Sequence, residues 1–454
     1  MSAIIHNKFR KYNADNFITS MSANKVYLMI GKDSPWNGAS IGEYTETTPT
    51  DTVIPIPIDT TLAPYIHHAD MIAAKLIPSS SVSHVIKRVD WVSGTVYVEY
   101  DHLIDDIIDQ DFFVFTSAFR VYKCIDNYHG AASVVEPTGV STDIIETADN
   151  YRWKFMFEVP QGDVLKFVTT DWVPVKYLTA DNSSEQWDVQ EEAVNGALDH
   201  IDITGGGTDY RSNVSTAVTG TTNTITLEAG ASTVDDYYND LGIFITAGTG
   251  ANQYKTITDY DGTSKLATVD SVWTVGQEPT SNSEYSIAPK VTIVATDLGT
   301  GAVARVSSID GGIIKKISMV SIGTAYRFVT ATVVAGGWAN GVFDPAAGMG
   351  AYIAPIISPP GGHGYDAVGE LGGAFVMLNA RLIGNEGADF PVGDDFRKVH
   401  LLSNPLTSGQ LATATTYNAQ EIDDGTGEMI YTEFRTPINR ASDSTEDIKL
   451  VVEF

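Results

Sequence analysis

The chain is short of cysteine and of basic charge. Cys124 is the single cysteine among 454 residues. No intrachain disulfide forms, so the protein either matures in a reducing compartment or holds its cores without covalent staples. Lysine and arginine number 28 against 57 acids, for a net charge of −29. That balance repels phosphates and anionic lipid, so neither nucleic acid nor membrane is an expected partner, and basic protein surfaces suit it better. Apolar runs fall far short of the ~20 residues of a spanning helix. The first residues, MSAIIHNK, lack the charged region and apolar stretch of a signal peptide. Catalytic motifs are scarce. Gly38-Ala-Ser40-Ile-Gly42 has the Gly-x-Ser-x-Gly spelling but lies in loop text and not at a strand-to-helix turn, so it makes no nucleophile elbow. Gly361-Gly-His-Gly364 lacks the Gly-Lys-Ser/Thr ending of a phosphate loop. Carboxylate pairs stay open, because their spacing is three-dimensional.

What is present is ample apolar matter, 43% of residues, enough for real cores. The length fits two to four domains at ~150 residues each. Dense aromatic and charged text fills residues 1–204 and 361–454, while 205–334 is rich in Gly, Thr and Ser. The expected fold class is α+β, predominantly β and multidomain. Residues 1–204 and 361–454 form a split body. Residues 205–334 form an inserted all-β region, divisible at 289/290 into two small modules, and residues 335–360 connect it back.

Periodicity supplies the elements. A helix is expected over 7–20 with Phe9, Tyr12 and Phe17 on one side. A strand is expected at Lys25–Ile30, then a helix from Thr60 to Leu76 on a three-to-four spacing. Further strands are expected at Thr95–Tyr100, Phe112–Phe115, Arg120–Ile125 and Trp153–Val159. In the middle, short strands surround Asp261-Gly262, read as a hairpin turn with positive φ. Val291–Ala302 and Ile317–Tyr326 carry a weak repeat. At the end, Ile448, Leu450, Val452 and Phe454 alternate with polar residues, as in a half-buried strand that needs a partner.

Each candidate site has a plainer reading. His67, His68 and Asp70 lie close together without a third ligand at metal spacing, so a surface pair is expected and no metal. The acids between Asp101 and Asp111 are interrupted by Leu103, Ile104, Ile107 and Ile108 at helical spacing, which suits a solvated face and not a calcium loop. Cys124 sits in an apparent strand and is expected to be buried and inert. Trp153, Phe155 and Phe157 alternate and are expected in a core, with a protein–protein anchor as the alternative. No catalytic residue and no cofactor is expected.

Several segments, in order, resemble one family. They are Lys8-Phe-Arg10, Gly31-Lys-Asp-Ser-Pro35-Trp36, Val85-Ile-Lys87-Arg88-Val-Asp90-Trp91, Val121-Tyr-Lys-Cys124 and Tyr151-Arg-Trp153-Lys-Phe155-Met-Phe157-Glu-Val-Pro160. Toward the end come Ser403-Asn-Pro-Leu406, Gly427-Glu428-Met429-Ile-Tyr431, then Glu433, Arg435, Pro437-Ile438, and Thr445-Glu446 ahead of Ile448–Phe454. The set is similar to the baseplate wedge subunit of contractile-tailed bacteriophages, the gene-product-eight type first defined in T-even phages. It covers roughly two thirds of the chain, and residues 205–334 have no counterpart in the shorter T-even form. The resemblance implies a structural subunit and not an enzyme: a homodimer that joins other baseplate wedge proteins in the virion tail, assembled in the host cytoplasm. The quoted motif positions would then serve structure or interface. Two other classes stay open. A fibre-like adhesin would bind host glycan through an aromatic shelf drawn from Tyr237, Tyr238, Tyr254, Tyr260 and Trp273. A polysaccharide-degrading tail enzyme would hold a buried carboxylate pair in a cleft.

Overall fold

The computed structural model describes every residue except 1–5, 32–66, 69–70, 335–336, 340–341, 345–347, 383–394, 409–420, 424, 440–441 and 443–446. The fold is α+β and predominantly β, as the sequence predicts. The chain divides into two compact units. One joins Met1–Arg88, Val159–Tyr177 and Ala367–Phe454, and the other joins Val89–Glu158 and Leu178–Asp366.

The first unit holds two four-stranded antiparallel sheets. One runs Met71–Leu76, Val26–Gly31, Asp395–Ser403, Glu428–Asn439, and the other runs Asp447–Glu453, Phe375–Arg381, Val82–Lys87, Trp172–Val175. Each sheet therefore takes two strands from the last 80 or so residues and closes with strands from earlier in the chain. The alternating apolar residues explain why the sheets stack. Val26, Leu28 and Ile30 from one share a core with Val376, Leu378, Leu450 and Val452 from the other. Burying each such side chain contributes ~1.5–3 kcal/mol. The terminal strand behaves as its alternation predicts, since Ile448, Leu450, Val452 and Phe454 all pack on this core.

The N-terminal helix, Asn7–Ala23, is capped by His6, whose Nδ1 accepts from the Lys8 amide at 3.2 Å. Its buried stripe is Ala14, Phe17, Ile18 and Met21, the i, i+3, i+4, i+7 pattern of a helix on a sheet. The expected side of Phe9 and Tyr12 is corrected: these are 57% and 60% exposed. A second correction concerns the helix expected up to Leu76. Residues 60–66 and 69–70 lie outside the described residues, and Met71–Leu76 is a strand paired with Val26–Gly31 from Tyr27↔Leu76 onward. Hydrogen bonding to a formed strand outweighs the three-to-four spacing of a short segment.

In the second unit, a four-stranded sheet carries Phe113–Phe115, Arg120–Asp126, Arg152–Glu158 and Ile145–Glu146 in that order. Thr95–Tyr100, expected as a strand, is not one. Its amides are satisfied singly, Val98 donating to Asp111 and Tyr100 to Cys124, with an isolated bridge at Thr95. Residues 213–288 form a seven-stranded sheet around a core that includes Ile225, Ile243, Ile257, Tyr285 and Trp273. The hairpin at Asp261 exists, but its positive φ falls on Lys265 and not on the Asp-Gly pair. Asp261 holds the turn by accepting from the Thr263 and Ser264 amides at 2.8 and 3.0 Å. The repeat segments pair only at their ends, Thr300 opposite Thr324 and Ala302 opposite Ile322, while Val291–Ala295 pairs with Val329–Val333. Beside them, Leu198–Thr208 runs antiparallel to Met349–Ile357.

Cys124 is wholly buried in the strand Arg120–Asp126, and burial pushes its thiol well above the usual range. A thiol reagent such as DTNB should therefore leave the native protein unlabelled at pH 8 and titrate one thiol after denaturation. Rapid labelling of the folded chain would contradict this placement.

Candidate functional site

The resemblance positions fall into three groups. Pro35 and Trp36 lie outside the described residues. The second group is structural. Trp153, Phe155 and Phe157 are at most 2% exposed. Trp153 stacks on Tyr151 at 5.3 Å and meets the edge of Tyr97 at 5.7 Å, while Phe155 meets Tyr122 at 5.6 Å. Trp91 is half-buried, and its ring N–H donates to Ser133 Oγ at 3.1 Å. Asp90 bridges to Phe115. Arg88 donates from its backbone N–H to the Asp171 carbonyl and from its guanidinium to the Thr169 carbonyl, both at 2.8 Å. Lys87 ends its strand opposite Trp172, and Pro160 opens the helix Gln161–Phe167.

The third group lies on one outer strand, Glu428–Asn439. Gly427 leads into it at φ +85°, a left-handed conformation that favours glycine, and a Cβ there would stand 2.9 Å from the Ser403 carbonyl oxygen. Glu428 begins the strand, and Met429 packs on Tyr27, Met29, Leu402 and Ile422. Tyr431 lies against the sandwich core and donates its hydroxyl to Glu433 at 2.8 Å. Arg435 Nε pairs with the other Glu433 oxygen at 2.8 Å. Pro437 lies in the same strand. On this strand Phe434 is 64% exposed, with Ile430 and Ile438 also exposed. Lys398 Nζ lies 5.6 Å from the centroid of the Phe434 ring. The sheet is therefore bounded by a strand that shows apolar side chains and both signs of charge to solvent.

Of the His67, His68 and Asp70 group, Asp70 lies outside the described residues, and the His67 ring packs 4.2 Å from that of His400. Burial, with His67 and Lys398 adding, pushes His400 down to about 4. Its folded value lies below its unfolded one, so the stability it carries is full above pH 6.5 and falls away as pH drops toward 4. His400→Gln should flatten the loss of the first unit's urea midpoint between pH 7 and pH 5. An unchanged pH profile would refute this assignment.

The acidic run lies in a loop with little helix. Asp101 Oδ1 accepts from the Leu103 amide at 2.9 Å, and only a short turn, Ile107–Asp109, is helical. Of its four apolar residues only Ile107 is buried.

Sequence reasoning missed two polar clusters on the strand Leu198–Thr208. Period-two alternation sends Asp199 one way and His200 and Asp202 the other. Asp199 lies 3.8 Å from His363 Nε2, and burial raises Asp199 and lowers His363 well below its usual value. On the opposite face, a ring nitrogen of His200 and carboxylate oxygens of Asp202 and Glu99 lie within 4.8 Å of one another. Burial, with Asp202, Asp126 and Asp101 adding, pushes Glu99 up to about 7 against an N–H donated by Asn127 at 3.1 Å. Burial likewise takes His200 down to about 4. The one sequence signal was the pattern His200-x-Asp202. Glu99 is too distant in the chain for any spacing to reveal it.

The aromatic shelf of an adhesin is not where it was expected. Tyr237, Tyr238, Tyr260 and Trp273 belong to the core of the 213–288 sheet, none above 9% exposed, and Tyr254 is half-buried.

The arrangement defines a β-rich protein whose resemblance residues fill a core in the second unit and form the outer strand of a sandwich in the first. Comparison with known proteins agrees. The family described as Phage-Gp8: Bacteriophage T4, Gp8 matches residues 373–454, which supply two strands to each sheet of the first unit. The chain is also 24% identical over 212 residues to the baseplate wedge protein gp8 of Enterobacteria phage T4. That match covers 38% of this chain and spans 61% of the length of the relative. The two matches support a gp8-type baseplate wedge family for this chain.

Proposed function

We propose that the protein is a structural subunit of a contractile-phage tail baseplate wedge, self-associating as a homodimer and docking onto other wedge proteins, with no catalytic step. Residues 205–334 are an elaboration carried by this framework. The observation that carries the reading is the matched C-terminal segment, which builds half of both sheets and ends in an outer strand with exposed Ile430, Phe434 and Ile438. The work of such a protein is to present surfaces on a rigid scaffold. A chain of net charge −29 meets a copy of itself only where the contact is apolar or charge-paired. The strand offers an apolar contact through Phe434, while Glu433 and Arg435 pair with each other on the other face of the sheet. A lasting dimer contact of this class buries upward of ~2,000 Å², and it persists in salt because apolar burial is not screened. Sedimentation at 0.15 M and 1 M NaCl should give a dimer in both. A monomer at both overturns self-association, and turnover of a glycan substrate overturns the structural reading.

A further inference from the structure

We propose that Glu99, His200 and Asp202 form a binding site for one divalent cation of the zinc–manganese type inside the second unit. The three donors lie within 4.8 Å of one another. A cation with ligands at about 2.0–2.2 Å sets its donors roughly 3–4 Å apart, so closing the set takes adjustments on the scale of a side-chain rotation. The independent observation is His200. The residue is 5% exposed, yet among the described residues neither ring nitrogen makes a hydrogen bond. Leaving such a buried group unsatisfied costs ~1–3 kcal/mol, and histidine is a common metal ligand.

The surroundings have the form of a metal's outer layer. Asp126 Oδ2 stands 3.5 Å from His200 Nδ1, where a carboxylate orients a ligating imidazole. The Asn127 amide fixes Glu99 Oε2 at 3.1 Å. Three carboxylates, those of Glu99, Asp126 and Asp202, converge on one imidazole. Several basic groups nearby have other partners. Arg152 donates to the Asp199 carbonyl at 3.1 Å and Lys316 pairs with Glu146 at 2.5 Å. His129 is held at the Lys315 carbonyl at 3.0 Å. A route in exists, since His200 and Asp202 line a small pocket with Asp126 and His129. One nitrogen and two carboxylate donors suit borderline divalent ions better than calcium, which takes six to eight oxygens.

The test uses the full chain stripped with EDTA. It is titrated with ZnCl2 by calorimetry and with CoCl2 by visible absorption. The expected result is about one equivalent per chain, with d–d bands from cobalt and a raised melting temperature. Glu99→Gln and Asp202→Asn keep the side-chain shape, and His200→Gln removes the nitrogen. Each should weaken binding by roughly 100-fold or more, while His84→Gln in the first unit leaves it unchanged. Circular dichroism establishes that each variant is folded. Absence of binding to the folded parent at 1 mM metal overturns the site. So does weak multiple binding that persists in Glu99→Gln and Asp202→Asn. The dimer measurement above is independent of either outcome.

Discussion

Trp153→Ala should unfold the second unit at distinctly lower denaturant than the parent, with a loss of about 3–5 kcal/mol. The indole is wholly buried, stacked on Tyr151 and edged by Tyr97. It sits in a cluster with Val114, Tyr122, Cys124 and Phe155. Truncation leaves a cavity between two sheet strands and the loop that carries Tyr97, and aromatic neighbours this rigid do not collapse into it. Trp153→Phe should behave differently. Among the described residues the buried Trp153 Nε1–H has no hydrogen-bond partner. Replacing the indole by a benzyl ring loses packing volume but also removes an unsatisfied donor, which offsets part of the cost. Urea unfolding followed by a signal from the second unit should rank Phe close to the parent and Ala far below. Equal losses for both variants would show that the ring N–H is bonded, or that volume alone decides.

The same residue shows what the sequence makes legible. Alternation over Trp153, Phe155 and Phe157 marks a strand, and the last seven residues mark another, because each strand's burial is written in its own side chains. The first reading is incomplete even so. Lys154 and Met156 are also buried, since this strand is covered on both faces. Where an element depends on a distant partner, local periodicity misleads. Met71–Leu76 becomes a strand because Val26–Gly31 pairs with it. Phe9 and Tyr12 face solvent because the sheet meets Ala14, Phe17, Ile18 and Met21 instead. Asp261-Gly262 turns the chain through the carboxylate of Asp261, a side-chain device that dipeptide statistics do not separate from a positive-φ turn. Of the resemblance positions, the text alone did not divide Trp153, which fills a core, from the exposed outer strand. The Glu99–His200–Asp202 set was invisible because a loop supplies one donor and a strand a hundred residues later supplies the others.

Phe434→Glu should convert the proposed dimer to monomer while leaving the fold intact. Phe434 is 64% exposed in the isolated chain, so its replacement removes little intramolecular packing. Surface changes of this kind stay within about ±0.5 kcal/mol of the parent. In a two-fold contact the same patch serves both copies, so one substitution acts twice. It deletes an aromatic anchor and brings two new carboxylates together on a chain already at −29. Interface aromatics that act as hot spots carry at least ~2 kcal/mol each, and one such loss per copy raises the dimer dissociation constant by roughly several hundred-fold. Glu433 and Arg435 pair with each other on the opposite face of the same strand, so they lie outside a contact made through Phe434. Arg435→Glu should therefore leave the dimer within a few-fold of the parent at both 0.15 M and 1 M NaCl, the small salt-dependent part being screened at 1 M. Analytical ultracentrifugation of parent and variants across concentration reads both effects, with melting curves as the control for folding. A Phe434→Glu protein that stays dimeric at micromolar concentration would move the self-association surface off this strand, and the exposed Phe9–Tyr12 side of the N-terminal helix would be the next to test.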